Sequence, residues 1–507
     1  MCKAGFAGEE RLRIESAVDG HGRRPQSRQS QLVLLINPAP LRTSSTDQNI
    51  RERYPYPPLG LLALAGQALM HGYAVEIIDF FRASFPSRAS FRARLEQLPR
   101  APVLVGITTY TETAAAVTKI AAAVGEVWPS TCLVVGGPHA TFCAEEILAE
   151  APEVRVVVRN EGEGALVELL EHCHDADALP LRNITGITFR AQDGTIVHTP
   201  ERPAVRHLDC LPFPPFWLLP PPRTITGESV LVFLTSRGCP GRCVFCASRA
   251  MAGGAYRMHS AEYLAALVWN EFTHANFDGM GIMDDTFLVD FRRLEKFCQY
   301  LDELAIRVPW TCKSRVDTLH PGMLEILRRA GCKSIHIGVE SADDAVLSGI
   351  GKRVKIARVL NGITALCAHG IRPECSFIIG HHCDTLATIE KTLLLARAIQ
   401  ENDIGVSVVG ICTPLPGTVL QRRAAELGVR FVTTDWEHYD LNTPVFETDR
   451  FSVADLRRAQ YYMEAGAAAG EPLPFGGFDH SEFRAQLDDF IARVKEVKRT
   501  GDRHAAQ

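Results

Sequence analysis

The chain has 507 residues, 46% of them hydrophobic and 22% charged, with a net charge of −5. That length exceeds one ordinary core and predicts two or more domains, while so small an acidic balance argues against nucleic acid as a partner, which needs clustered positive charge. No apolar run reaches the roughly 18–20 residues of a membrane span: the best, LGLLALAGQALMHG, is interrupted by Gln67 and ends at His71 and Gly72, and no apolar segment follows the N-terminal charges as in a secretory signal.

Residues 1–30, rich in Arg, Gln, Ser and Gly, predict a disordered tail. Order begins at QLVLLINPAP, the first of the strand-like runs that continue as AVEIIDF, PVLVGITTY, TCLVVGG and VRVVVRN. Helical patterns, PLGLLALAGQALMHG, ETAAAVTKIAAAVGEVW and EGALVELLEHC, fall between them. Unalternated apolar strands separated by helices indicate a parallel sheet covered on both faces, a doubly wound Rossmann-like α/β domain. ITGITFRAQDGTIVHTP adds a hairpin around its Asp-Gly turn, so this first domain is placed at 31–200.

Proline then dominates CLPFPPFWLLPPPRT (210–224). Such density neither joins a sheet nor continues a helix, so 201–228 reads as a linker or wrapping arm. The β/α alternation restarts with SVLVFLTS, GMGIMDD, PWTCKS, KSIHIGVE, RPECSFIIG and IGVSVVGICT. These six predict a partial (β/α)6 TIM-like barrel or an open α/β sheet over 229–428. A small, mostly helical C-terminal region, 429–507, closes the chain.

The fifteen cysteines are an odd number and scattered, except for three in SRGCPGRCVFCASRA. Reduced thiols in a cytoplasmic protein, plus one special site, is the expectation. Cys239, Cys243 and Cys246 directly follow the first strand of the second domain, at the strand end where α/β active sites form. Gly238, Pro240 and Gly241 let the chain curl so that the sulfurs converge. One reading is structural zinc, which wants four closed ligands, with His259 or a distant cysteine as the fourth. The other is an iron–sulfur cluster with three irons held by thiolate and one left open to bind a substrate or cofactor.

The spacing Cys239-x3-Cys243-x2-Cys246, with Phe245 before the third cysteine, resembles the signature of the radical S-adenosylmethionine enzymes. The resemblance implies a [4Fe-4S] cluster whose open iron binds S-adenosylmethionine, and one-electron cleavage of that cofactor to a 5′-deoxyadenosyl radical. It further implies an electron donor such as flavodoxin or ferredoxin. By the same resemblance, Asp284 and Asp285 would lie near the methionine amino group, Glu340 and Ser341 at the ribose, and Ile378 and Gly380 at the adenine. TPLPGT (413–418) is similar to a loop of the cobalamin branch. Asp284 and Asp285 read equally well as helix N-caps. Arg315 would fork onto a carboxylate or form a surface salt bridge. His381, His382 and Cys383 stand where the family has a Gly-Pro-Gly-like turn; they suit a second metal, a substrate, or a hydrogen-bonded structural role.

The strand ends of the first domain carry NPAP with Pro38, TTYTET with Thr108, Thr109 and Tyr110, GGPHAT with Gly136, Gly137, Pro138 and His139, and NEGEGA with Glu161, Gly162 and Glu163. Small residues there let the backbone approach a large cofactor, and the lack of G-x-G-x-x-G after the first strand disfavours a dinucleotide. As a set, with the helix pattern PPLGLLALAGQAL, they resemble the cobalamin-binding domain that precedes many radical S-adenosylmethionine cores. The D-x-H-x-x-G motif is absent, which implies base-off cobalamin with no protein imidazole on cobalt; His139 is the possible exception, helix capping its other reading. Together these features imply methylation of an unactivated carbon of a small molecule. Radical-driven ring closure, rearrangement or oxidation without methyl transfer, a redox- or metal-sensing iron–sulfur protein, and a zinc-stabilised scaffold are the alternatives. Trp436 and Tyr439 read either as pocket residues or as ordinary packing.

Overall fold

Leu32–Asn37 (β1) is buried at every position. Its neighbours Ala74–Asp79 (β2), Pro102–Thr108 (β3), Cys132–Gly136 (β4) and Val156–Val158 (β5) carry the same apolar character. Strands apolar on both faces need cover on both. Helices Arg88–Glu96, Ala114–Val127 and Ala144–Glu150 pack on one face, around Leu34, Ile36 and Val105. Leu59–Met70 and Glu163–His172 pack on the other, around Val33, Leu35 and Leu104. The strand order is β2-β1-β3-β4-β5, all parallel, and the expected hairpin, Ile187–Arg190 (β6) and Ile196–His198 (β7), extends the same sheet antiparallel from β5. This computed structural model describes residues 31–41, 56–83, 87–172, 181–224, 226–464 and 473–505; the tail expected over 1–30 lies outside them.

The six expected strands of the second half form one parallel sheet in sequence order: Val230–Phe233 (β8), Gly279–Ile282 (β9), Trp310–Ser314 (β10), Cys332–Glu340 (β11), Arg372–Ile379 (β12) and Val406–Ile411 (β13). No pairing joins β8 to β13, so this is a partial barrel rather than a closed one. The proline-rich segment wraps rather than dangles. Phe213 O and Pro212 lie against Gly66, close enough that a Cβ there would meet them at 3.1 and 3.2 Å. Tyr263 of the helix Ala261–His274 donates its hydroxyl proton toward the carbonyls of Leu211 and Pro212 at 3.3 Å.

The C-terminal region contains helices Val453–Glu464 and Ser481–Ala505. It is fastened to the barrel at Glu390, whose buried carboxylate accepts from the amides of Phe475 and Gly476 and pairs with His480 Nε2, each at 2.9 Å. Among the described residues no helix is long and apolar enough to cross a membrane.

Candidate active site

The loop after β8 is held in a fixed curl. Gly238 has φ +84°, and a Cβ there would run into Ala255 O and Ala252. Between the cysteines, Val244 donates its amide to Ile350 O and accepts from Leu420 N, both at 2.9 Å, tying the loop to the segments after β11 and β13. Gly351 has φ +73°, and a Cβ there would meet Arg242 O at 2.8 Å.

Donors face the sulfurs. Gly241 N–H reaches Cys239 Sγ at 3.3 Å, Arg315 Nη1 reaches Cys243 Sγ at 3.6 Å, and Cys246 Sγ lies 3.2 Å from Ser248 Oγ. Burial pushes the Cys239 and Cys246 thiols above their usual range, and the Gly241 and Ser248 donors work against it. Arg315 also forks onto Asp317, both bonds 2.9 Å, and donates to Lys352 O at 2.8 Å. It is thus a brace across the loop rather than a surface pair. The one His/Cys/Asp/Glu trio whose ligand atoms lie within 4.8 Å of one another, among the described residues, is elsewhere. The three loop thiols do not form such a trio as they stand. His259, the candidate fourth zinc ligand, instead faces Asp209 at 3.2 Å and stacks on Tyr263 at 4.0 Å. Three thiols with donors aimed at them, and no fourth protein ligand supplied by His259, fit a cluster.

Beside this loop lies a cavity of about 730 Å³ walled by both halves of the chain. The barrel contributes Phe245, Cys246, Asp285, Ile378 and, from the TPLPGT loop, Thr413 and Leu415; the first domain contributes Thr108, Tyr110, Gly136, Gly137, Pro138, Glu161, Gly162 and Glu163. Its wall is mostly apolar, and Tyr110, though large, is 53% exposed toward it. Glycines keep it open: a Cβ on Gly60 would meet nothing within 4 Å, and one on Gly136 nothing nearer than 3.7 Å. Gly137, with φ +100°, brings the backbone of GGPHAT so close to Thr108 Oγ1 and Thr109 N that a Cβ would lie 2.7–2.8 Å from them.

Charges lock the two walls together. Arg237 pairs with Glu161 at 2.9 Å and with Glu163, while Arg257 pairs with Glu161 at 2.8 Å. Burial raises the Glu161 carboxyl, but the combined Arg237 and Arg257 contacts leave it below its ordinary range. Gly417, φ +82°, packs so tightly on Phe142 of the first domain that a Cβ would enter the ring.

Several expected site residues stand behind this wall. Asp284 is 0% exposed and accepts from Thr235 N and Ser236 N at 2.5 and 3.1 Å and from both their hydroxyls. It anchors the start of the cysteine loop, and Asp285 alone of the pair lines the cavity. Neither caps the following helix, Phe291–Glu303; Asp290 does, accepting from Arg293 N. Ser341 is buried against Thr392, Glu340 pairs with buried Lys352 at 2.8 Å, and Gly380 packs on Leu456. Thr109 and Pro38 are buried at their strand ends, outside the cavity. His139 also points away: Gly137 is the N-cap of helix Pro138–Phe142, and the imidazole meets Trp436 edge-on at 5.3 Å. Trp436 and Tyr439 pack against each other, away from the cavity.

His381 is unsatisfied at both of its ring nitrogens. It is 0% exposed, its ring lies 5.1 Å from Phe245, and neither ring nitrogen has a hydrogen-bond partner in the protein. The hydrogen-bonded structural role expected for it is not what the side chain does. Burial holds it neutral, its pKa lowered to about 3. A buried imidazole without partners beside the cluster loop fits a group that the protein itself does not supply. Lys352 and Arg237 were missed by sequence reasoning, although SRGC places Arg237 two residues before the first thiol.

The sequence profile of the Radical SAM superfamily matches residues 233–396, and that of the B12 binding domain matches residues 50–170. An uncharacterized methyltransferase of Pyrococcus horikoshii is 30% identical over 414 residues, 80% of this chain and 87% of that relative. The chain therefore belongs to the cobalamin-binding radical S-adenosylmethionine enzymes. An anaerobic magnesium-protoporphyrin IX monomethyl ester cyclase of Rubrivivax gelatinosus is 26% identical over 407 residues, 79% of this chain and 72% of its own. The fold is shared with the radical S-adenosylmethionine methyltransferase TsrM from Kitasatospora setae, with a TM-score of 0.65 at 16% identity, covering 94% of this chain and 100% of that one.

Proposed function

We propose that this enzyme methylates an unactivated carbon of a small, largely apolar molecule. The observation that carries the reading is a cavity that meets the cysteine loop on one wall and the glycine-rich strand ends of the first domain on the other. Cys239, Cys243 and Cys246 would hold a [4Fe-4S] cluster with one iron open, and the cradle at Gly60, Gly136 and Gly137 would hold cobalamin. When bound, the cluster and S-adenosylmethionine supply one-electron bond cleavage and cobalamin supplies a methyl group. The protein's own part is placement and exclusion of water. Asp284 fixes the origin of the loop, Arg315 and Gly241 face its sulfurs, the Arg237 network holds the walls in register, and the apolar lining keeps the chamber dry. A low-potential donor such as flavodoxin or ferredoxin would reduce the cluster.

Anaerobic, cofactor-loaded protein with a low-potential reductant is expected to form 5′-deoxyadenosine, and with the substrate a product one methyl heavier, labelled from methyl-deuterated S-adenosylmethionine. The resemblance to the Rubrivivax cyclase favours one second reading, radical chemistry without methyl transfer; 5′-deoxyadenosine with a product of unchanged methyl count would establish it. Protein that binds iron and forms no 5′-deoxyadenosine would overturn both.

A further inference from the structure

In the first domain, outside the lining of the cavity, three residues of different chemistry converge. His139, Cys143 and Glu146 follow one another at intervals of four and then three residues. Cys143 is the joint between helices Pro138–Phe142 and Ala144–Glu150. One ligand atom of each lies within 4.8 Å of the other two.

Beyond this convergence, one observation points to a bound ion. His139 is 2% exposed, and its Nδ1 has no hydrogen-bond partner in the protein, a cost that a buried ring nitrogen does not ordinarily carry. Glu146 also lines a separate cavity of about 480 Å³ with Glu150, Asp435 and Trp436, so the carboxylate of the trio opens onto an acidic cavity. Trp436 Nε1 donates to Glu146 Oε1 at 2.7 Å, which orients the carboxylate beside the Cys143 thiol that hydrogen-bonds to it.

We propose that His139, Cys143 and Glu146 bind one divalent zinc ion at the seam between the first domain and the C-terminal region. A nitrogen, a thiolate and a carboxylate oxygen are zinc's own ligand types, and three protein ligands leave a fourth position for water. Bonds of roughly 2.0–2.3 Å require the three atoms to draw together by about 1 Å, within the reach of side-chain rotation. On binding, the Cys143 thiol releases its proton to solvent and the sulfur–zinc bond replaces it. The ion would fix Glu146 beneath Trp436 and so fasten the C-terminal region to the first domain. It is separate from the cluster thiols and does not depend on the reaction proposed above.

The test is zinc content and thermal stability of the anaerobic holoenzyme, dialysed against buffered micromolar zinc. Wild type is expected to keep one zinc per chain, and zinc is expected to raise its Tm. Cys143→Ser and His139→Gln should each bind at least about tenfold more weakly, with no zinc-dependent rise in Tm and with cluster iron unchanged. Cys239→Ala should lose cluster iron and keep the zinc. Wild type that retains no zinc, or a folded variant that retains as much as wild type, overturns the proposal. If Cys143→Ser does not fold, His139→Gln decides.

Discussion

The Asp284 carboxylate accepts from both the amide and the hydroxyl of Ser236, at 3.1 and 2.5 Å, while wholly buried at the end of β9. Ser236 is three residues from Cys239, so a carboxylate just past β9 sets where the cysteine loop of the neighbouring β8 begins. Asp284→Asn would turn a donor toward these amides and hydroxyls. The expected cost is about 3 kcal/mol or more in urea unfolding, with lower iron per chain after reconstitution. A variant with wild-type stability and iron content would show that the anchor is dispensable.

Arg237 should matter to docking rather than to either domain. Its side chain is part-exposed, so Arg237→Ala is expected to cost only about 1–3 kcal/mol, while leaving Glu161 with Arg257 and Glu163 without its partner. Calorimetry should then resolve two transitions and small-angle scattering a larger radius of gyration. A single unshifted transition would mean that the Phe142–Gly417 contact suffices.

His381 carries two unpartnered nitrogens at 0% exposure. His381→Leu removes both and fills a similar volume, so the cofactor-free protein should gain roughly 1–3 kcal/mol. Binding of S-adenosylmethionine should weaken at the same time, measured calorimetrically on cluster-loaded protein. Gain in one and loss in the other is the signature of a residue kept for a ligand; a loss in both would mark it as packing.

Asp384 gives the stability a slope with pH. Burial raises its pKa to about 7 although Thr388 and the His381 amide donate to it. Between about pH 4, where the unfolded carboxyl ionises, and pH 7, the folded chain holds the extra proton. Its stability therefore falls as pH rises through that window, by on the order of 4 kcal/mol from this group. Asp384→Asn should lose this component, so that the Tm difference between variant and wild type grows from pH 5 to pH 8. A constant difference would contradict the assignment.

What the sequence made legible follows from what a one-dimensional pattern can encode. Runs such as LVLLIN and CKSIHIGVE are apolar because both faces of their strands are covered, and every expected strand of both sheets is present. The cysteine loop was equally plain, since three thiols and their turn residues are adjacent in the chain. Direction was not legible. Successive residues at a strand end point to opposite sides, so Asp284 and Asp285, or Thr108 and Thr109, look alike in sequence while only Asp285 and Thr108 face the cavity. Partners were hidden for another reason: Arg237 and Glu163 are separated by 74 residues, and no local spacing announces their pairing.

The shared wall has a thermodynamic corollary. A chamber bounded by two bodies exists only while they are docked, so whatever occupies it acts as mortar between them. Occupancy and docking then become one linked equilibrium, and each tenfold excess of ligand over its dissociation constant adds about 1.4 kcal/mol to the joined state. Loading the enzyme and keeping its two halves together are, on this architecture, coupled.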